Sequence, residues 1–309
     1  MPEGHSVHRI ARQFGADFLG KEVEVSSPQG RFSAGAELIS GLELIRSQAV
    51  GKQLFLHFGL DKIMRVHLGI YGAWDFAGEL TALGTSRESS IGAPRLARAV
   101  HIGEEEKDRG ESQVAEAQAD FPPDPVGQVR ARLLTATAVA DLRGPTACEV
   151  LNPDEVAGVL NKLGPDPAND NSPAAKEEIV ARVQRRRVAI ARLLMDQQVF
   201  AGVGNIYRAE LLYRARLNPF IAGAELRTET IEALWDDWAK QLELGIRTGK
   251  MMTRDDLTDE EFTEALTDET NRHWVYGRVN QPCRTCGTPI AMEVLSARKL
   301  YWCPHCQSR

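Results

Sequence analysis

Four cysteines near the end of the chain constrain its fold more than any other feature. They are spaced as Cys283-x2-Cys286-x16-Cys303-x2-Cys306, two CxxC knuckles at a separation typical of zinc ribbons. Four thiolates suit a closed tetrahedral site with no position left for water, so we expect one structural Zn²⁺. His305 is redundant as a ligand. Redox chemistry by the CxxC pairs is the alternative, but paired knuckles favour a metal.

The residues between the knuckles alternate enough to form two strands. Ser296, Ala297 and Arg298 then lie at the tip of the predicted hairpin. The fifth cysteine, Cys148, is interpreted as an ordinary buried thiol.

The chain has 309 residues, enough for about two domains. It contains no apolar run long enough to cross a membrane, and its start lacks the apolar stretch of a signal peptide. We therefore expect a cytoplasmic protein with substantial cores.

The formal net charge of −6 is unevenly distributed. Residues 101–125 hold eight acids against two basic side chains, and residues 250–271 have the same balance. Residues 182–216, in contrast, hold eight arginines against two acids. Because a polyanion responds to the local field of a basic face, nucleic acid stays among the expected partners.

The first half of the chain has the pattern of one helix followed by a sheet. Val7, Ile10, Phe14 and Phe18 recur at the spacing of an amphipathic helix. From Lys21 to about Phe76, short β-rich runs separated by glycines predict an antiparallel sheet or sandwich.

Residues 84–122 are acidic and poor in large apolar side chains. We predict that they form a mobile insertion, since such a composition cannot support a core. Strand patterns resume at 128–134 and 138–142.

Beyond about Asn152 the pattern is helical, with Ser172 as the cap of one helix and further helices predicted at 188–199, 205–214 and 228–248. The predicted domains are 1–150, a β-sandwich; 151–272, a helical domain; and 273–309, a zinc ribbon.

The segment AGVGN, residues 201–205, lies between two predicted helices. Its glycines permit a tight turn, and we expect Asn205 to be the N-cap of the second helix, where free N–H groups attract phosphate. The alternative to a site that binds the DNA backbone is an ordinary helical hairpin with a solvated basic face. The arginines flanking this segment are Arg185, Arg186, Arg187, Arg192 and Arg208.

The chain begins Met1-Pro2-Glu3. Initiator Met is readily removed before proline, which leaves a terminal amine with a pKa of about 8 that can form a Schiff base with a sugar aldehyde. Glu3 is placed to relay a proton. Many chains begin with Met-Pro, so the motif alone is weak.

Together these features resemble the Fpg/Nei (formamidopyrimidine-DNA glycosylase and endonuclease VIII) family of bifunctional DNA glycosylases. The resemblance covers nearly the whole chain. It is carried by MPEG (1–4), GKQLFLHF (51–58), HLGIYG (67–72), LGPDP (163–167), LLMDQQVFAGVGNIYRAELL (193–212), VYGRVNQPCRTC (275–286) and RKLYWCPHCQ (298–307).

The resemblance implies an α+β multidomain fold: an N-terminal helix plus an antiparallel β-sandwich that is catalytic, a helical DNA-binding domain with a helix-two-turns-helix, and a zinc ribbon. It implies that Pro2 is the nucleophile that displaces a damaged base and that Glu3 is the acid and base. Lys52 matches the residue that holds flanking phosphates and assists β-elimination.

The same resemblance implies three roles in the second half of the chain. Asn205 and Arg298 match the family's phosphate clamp, and Arg298 is also placed to assist δ-elimination. Glu210, grouped with the DNA-binding residues, matches a glutamate that organises the site.

Two departures concern how the lesion is recognised. Ser6, preceded by His5, stands where the family usually has a second glutamate. The segment DLRGPT (141–146) matches the guanine-type branch only at Asp141 and Arg143.

Pro145 stands where that branch has a wedge phenylalanine. Ile70 and Tyr71 instead resemble the side chains by which endonuclease VIII fills the gap left by an extruded base, and an apolar wedge lowers the cost of unstacking. These residues favour the endonuclease VIII branch.

We therefore expect a DNA glycosylase that removes oxidised bases, preferably pyrimidines, and nicks the strand by β,δ-elimination. Its expected partner is double-stranded DNA with a damaged base or abasic site, its cofactor one Zn²⁺, its state a monomer and its location the bacterial nucleoid. An oxidised-purine glycosylase of the same family and a catalytically inactive zinc-ribbon DNA-binding protein are the alternatives.

Overall fold

A computed structural model describes residues 2–83, 96–102 and 121–308, with the backbone alone for 96–99. The chain divides into two compact units, Met1–Asn161 and Lys162–Arg309. No helix in these described residues is long and apolar enough to cross a membrane.

The first unit is a nine-stranded antiparallel sheet with helix α1 (Gly4–Asp17) packed on it. The order of the strands is β6-β5-β8-β7-β1-β2-β3-β4-β9. The strands are β1 (Glu22–Ser26), β2 (Leu42–Val50), β3 (Gln53–Phe58), β4 (Lys62–His67), β5 (Ala73–Leu80), β6 (Leu96–Ile102), β7 (Val129–Leu134), β8 (Ala138–Arg143) and β9 (Ala147–Leu151). Two short helices, α2 (Ser33–Ile39) and α3 (Pro153–Leu160), complete the unit.

The predicted helical stripe faces the core of this sandwich. Val7, Ile10, Phe14 and Phe18 are all buried. The ring of Phe14 lies 4.9 Å from that of Trp74, edge to face, a favoured aromatic geometry. The burial of this stripe fixes α1, and with it the start of the chain, against the strands.

The predicted insertion at 84–122 is wrong for residues 96–102. These residues form β6, which pairs with β5 along its whole length, from Trp74↔Ile102 to Leu80↔Leu96. Val100 packs against the core and Ile102 is buried in it, because residues two apart in a strand lie on the same face. The rest of the predicted insertion up to residue 120 lies outside the described residues.

The second unit combines helices with the ribbon. Its helices are α4 (Pro173–Gln184), α5 (Ile190–Leu193), α6 (Asn205–Arg214), α7 (Thr228–Thr248) and α8 (Asp259–Thr267), and its strands are β10 (Ala291–Leu295) and β11 (Arg298–Trp302). Ser172 caps α4 as predicted, because its side chain accepts the N–H of Ala175. Leu300 of the ribbon is buried in the helical core.

The helix predicted at 188–199 is much shorter than expected. Only Ile190–Leu193 is α-helical, and two turns follow. The side chain of Asp196 accepts the N–H of Gln198 at 2.9 Å, a local bond that competes with helix continuation. The result is a helix, two turns and then α6.

Candidate functional site

Pro2 and Glu3 lie buried where the chain enters α1. Glu3 is the N-cap residue, with an extended backbone, and its side chain is 1% exposed. Its carbonyl oxygen accepts the N–H of Ser6 at 3.1 Å. The first turn of α1 therefore fixes the backbone at Glu3, the residue that follows Pro2.

Lys52 occupies a two-residue turn between β2 and β3, closed by the Val50↔Gln53 pair. Gly51 precedes it with φ of 58°, a conformation that favours glycine. Burial, and then the positive charge of Lys52, lowers the pKa of His67. Lys52 itself is half-buried in this turn.

His5 and Ser6 form a neutral pair where the family resemblance implies a glutamate. The Oγ of Ser6 lies 3.2 Å from Nε2 of His5, and both residues are buried. Burial is the main cause that lowers the pKa of His5 to about 3. Neighbouring charges act in the same direction, those of Arg9 and His8 most strongly and that of Lys52 less so.

The segment after β4 presents a side chain to solvent. Tyr71 is 77% exposed, whereas Pro145 is buried. Gly69 has φ of +69°, and a Cβ there would lie 1.7 Å from the hydroxyl of Thr146, so no larger residue fits without a shift. Ile70 is half-buried beside Tyr71.

The start of α6 is joined to the ribbon through one carbonyl. Gly204, not Asn205, is the N-cap, which corrects the predicted cap. The Nδ2 of Asn205 donates to the carbonyl of Lys299 at 2.9 Å, and Arg208 donates to the same oxygen at 3.2 Å. Arg298, the first residue of β11, therefore lies one residue from the point where Asn205 is attached.

Four of the arginines that flank this segment are exposed, and we call these four residues together the basic face. Arg208 is not part of it, because its side chain is fully buried and also donates to Oδ1 of Asn205. The basic face consists of Arg185, Arg186, Arg187 and Arg192.

Glu210 is fully buried in the second unit. Its carboxylate accepts the backbone N–H groups of Trp274, Val275 and Tyr276 at 2.8 to 2.9 Å, and the hydroxyl of Thr253 at 2.6 Å. These contacts are those of a residue that organises the segment leading into the ribbon, and the buried side chain is not in a position to contact DNA.

The four cysteines of the knuckles converge. Their sulfur atoms all lie within 4.8 Å of one another, with Cys283 and Cys306 3.9 Å apart and Cys286 and Cys303 3.5 Å apart. A tetrahedral Zn²⁺ with bonds of about 2.3 Å requires sulfurs about 3.8 Å apart, so the arrangement fits one structural zinc.

Cys148 and His305 are not members of this cluster. Burial raises the pKa of the Cys148 thiol to about 12, so it is protonated at neutral pH. His305 is exposed.

The hairpin tip is a strained turn tied to the helices. Ser296 and Ala297 both have left-handed backbones, with φ of 52° and 59°. The Nε of Arg192 donates to Oγ of Ser296 at 2.9 Å. Arg298 follows directly, so this contact helps to set the position from which its side chain extends.

Sequence patterns gave no role to Gln197, yet its side chain holds the turn before α6. Its Oε1 accepts the N–H of Gly202 at 3.0 Å, and its Nε2 donates to the carbonyl of Val203 at 2.9 Å. An amide side chain just before a glycine-rich turn is the signal that could have identified it.

Comparison with known proteins gives matches along the length of the chain. The formamidopyrimidine-DNA glycosylase N-terminal domain matches residues 1–125, the formamidopyrimidine-DNA glycosylase H2TH domain 163–256, and the zinc finger found in FPG and IleRS 280–309. "Endonuclease 8 1" of Mycobacterium tuberculosis is 37% identical over 308 residues, which cover 100% of both chains. "Endonuclease 8" of Escherichia coli is 28% identical over 99% of this chain and 100% of its own.

Solved structures share the fold. Lactococcus lactis Fpg in complex with DNA containing an abasic site superposes with a TM-score of 0.71 at 18% identity, over 99% of this chain and 100% of that one. Three domain matches in this order define a DNA-repair glycosylase with a zinc finger. The chain belongs to the Fpg/endonuclease 8 family and is an enzyme of its class, a DNA glycosylase with lyase activity at abasic sites.

Proposed function

We propose that this enzyme removes oxidised bases, preferably pyrimidines, from duplex DNA through a Schiff base on Pro2 and then nicks the strand by β,δ-elimination. The observation that carries the proposal is the grouping at the start of α1. Pro2 and Glu3 are buried side by side at the start of α1, and the charge of Lys52 acts on the neighbouring His5. The full-length relative at 37% identity is named "Endonuclease 8 1".

In this proposal, loss of Met1 makes the nitrogen of Pro2 a secondary amine that attacks C1′ of the damaged nucleotide. The N-glycosidic bond breaks, and the base leaves with the bonding electron pair and gains a proton. Glu3 protonates the ring oxygen, which opens the sugar and leaves an iminium ion between Pro2 and C1′.

The iminium ion then acidifies the neighbouring C–H bond. Loss of the C2′ proton expels the 3′ phosphate, and loss of the C4′ proton from the resulting unsaturated imine expels the 5′ phosphate. Lys52 and Arg298 assist by stabilising the phosphates that leave. Water finally hydrolyses the imine and regenerates the amine.

Borohydride trapping on abasic duplex DNA tests this mechanism. Wild-type protein should form a covalent product, whereas a chain that keeps an N-terminal extension, which blocks the amine, should trap little or none. Pro2→Gly keeps a terminal amine and should trap less than the wild type. Full trapping by the extended chain would show that the terminal amine is not the nucleophile. Failure of the wild-type protein to trap would favour the catalytically inactive alternative.

The proposed preference for pyrimidines depends on two segments: the one after β4 that contains Ile70 and Tyr71, and the one that contains Pro145. Tyr71 is the exposed side chain there and Pro145 is buried, so Tyr71, with Ile70, is available to fill the gap left by an extruded base. These two segments support the endonuclease VIII branch over the oxidised-purine alternative. The pair of His5 and Ser6 does not separate the two branches, because Ser6 departs from the glutamate that is usual in the family.

Single-turnover excision on duplexes of matched sequence tests the lesion preference. Thymine glycol and dihydrouracil should be excised faster than 8-oxoguanine opposite cytosine. The reverse order would assign the enzyme to the purine branch while leaving the Pro2 mechanism intact.

A further inference from the structure

The C-terminal end of α6 lies against the first cysteine knuckle. The hydroxyl of Tyr213 lies 3.2 Å from Sγ of Cys283 and 2.7 Å from Oγ1 of Thr285. The side chain is 1% exposed, and its ring stacks on Trp274 with 5.5 Å between centroids. The guanidinium of Arg216 lies 4.5 Å from the ring centroid and donates to Oγ1 of Thr285 at 3.2 Å.

The chemistry of the two ends fixes the direction of these hydrogen bonds. Arginine has only donors, and a zinc-bound thiolate has no proton, so it can only accept. Each hydroxyl between them has one proton to donate. Arg216 therefore donates to Thr285, Thr285 to Tyr213, and Tyr213 to the Cys283 thiolate.

Arg216 lies just beyond the last residue of α6. Its φ of 51° is the left-handed conformation common just beyond a helix C-terminus, where the N–H of Arg216 donates to the carbonyl of Tyr213 and that of Leu217 to the carbonyl of Leu212, both at 3.0 Å. The ring of Tyr213 and the hydroxyl of Thr285 are the contacts that hold this side chain.

We propose that Arg216, Thr285 and Tyr213 form a directed outer shell of the zinc site, which stabilises the Cys283 thiolate and retains the metal. Four thiolates outweigh the charge of Zn²⁺, so the site is negative overall. A donated hydrogen bond and a nearby guanidinium offset that charge and orient the sulfur. The proposal concerns metal retention and does not depend on which lesion the enzyme removes.

Zinc release to excess chelator measures the effect, and α6 supplies a matched control. Tyr213→Phe should release zinc about tenfold faster, the order of effect expected when an outer-shell partner is removed. Tyr207→Phe removes a hydroxyl from the same helix, one that donates to the carbonyl of Gln241 instead. It should release zinc at close to the wild-type rate. Circular dichroism of both zinc-loaded variants checks that they fold.

Thr285→Val tests the relay itself. It should accelerate release less than Tyr213→Phe does, and the double variant should add little to Tyr213→Phe, because both changes interrupt one chain. In Co²⁺-substituted protein, Tyr213→Phe should shift the thiolate-to-metal charge-transfer band while Tyr207→Phe leaves it in place. Equal release rates for Tyr213→Phe and Tyr207→Phe, or additive effects in the double variant, would overturn the proposal.

Discussion

Pro2 and Glu3 are adjacent and buried, but the proposed reaction needs the amine of Pro2 and the carboxyl group of Glu3 at different steps. The amine of Pro2 is required whenever a sugar carbon is attacked. The carboxyl group of Glu3 is required mainly while the base is still attached, since the ring must open and the base must leave. Substrates with and without a base therefore distinguish the two residues.

Glu3→Gln should remove proton transfer while keeping the size of the side chain. We expect excision of a damaged base to fall by a factor of about 10² to 10⁴, the usual contribution of general acid–base catalysis. Cleavage of a preformed abasic site should fall far less. Single-turnover rates on the two duplexes measure the difference, and equal losses on both would contradict the assigned role.

Burial also decides the charge of His5. The pKa of the folded group is about 3, against 6.5 for an exposed histidine. Between these values the unfolded chain binds more protons than the folded one. The contribution of His5 to stability is therefore complete above pH 6.5 and is lost as the pH falls.

We predict that His5→Asn flattens the dependence of Tm on pH between 7 and 5. At pH 5 the wild-type protein should have lost about 2 kcal/mol of stability through this one group. Gln128→Asn, a change at an exposed side chain without an ionisable group, is the control and should keep the wild-type slope. Superimposable curves for the wild type and His5→Asn would show that burial does not govern this histidine.

At the scale of elements, the sequence predicted those parts whose signals are local. The stripe from Val7 to Phe18, the cap at Ser172 and the turn at Ser296 and Ala297 follow from the spacing and chemistry of neighbouring residues. The knuckle spacing likewise predicted the cluster of four cysteines, and their convergence confirms it. Each of these features can be recognised within a few residues of sequence.

Features that depend on distant partners could not be predicted in this way. The strand β6 lies within an acidic stretch, and its pairing with β5 decides its conformation. The charge of Arg208 predicts an exposed side chain. Its guanidinium instead donates to the backbone carbonyl of Lys299, 91 residues away in the chain. Contacts of Tyr213 with the first knuckle also join residues far apart in the chain.

The turn between β10 and β11 contains a residue in a left-handed conformation. Ala297 has φ of 59°, which costs an L-residue roughly 1 to 2 kcal/mol, and glycine adopts this conformation freely. Ala297→Gly should therefore raise the Tm of the zinc-loaded protein. Ala291→Gly, in extended β10, should lower it, because glycine loses more conformational freedom there. A lower Tm for Ala297→Gly would show that the turn is not strained.

At the scale of the whole molecule, the strand β6 limits which residues of the acidic stretch can be deleted without loss of stability. Deleting residues 85–120 would remove the strand that covers β5, whereas replacing 104–119 with a short Gly-Ser linker keeps it. The short deletion should fold and cleave abasic DNA, and the long one should lose stability through the exposed edge of β5. Thermal unfolding and abasic-strand cleavage measure both. A short deletion that folds but cleaves no abasic DNA would show that residues 104–119 are part of the active enzyme.

The net charge of the whole molecule and the local charge of the basic face have opposite signs. The formal net charge is −6, yet the basic face presents Arg185 and Arg187 to solvent. If local charge governs DNA binding, the affinity should fall steeply with salt, because each neutralised phosphate releases counterions. The slope of log K against log salt then reports how many phosphates the protein contacts.

Two double variants separate local charge from total charge, because both take the net charge from −6 to −8. Arg185→Gln with Arg187→Gln should reduce the salt slope by about 2, since each phosphate contact contributes about 1. Arg31→Gln with Arg46→Gln changes exposed arginines of the first unit and should leave the slope unchanged. Fluorescence anisotropy with a duplex carrying an abasic-site analogue, over a series of KCl concentrations, gives the slopes. Equal reductions in both variants would mean that total charge, and not the basic face, sets the attraction to DNA.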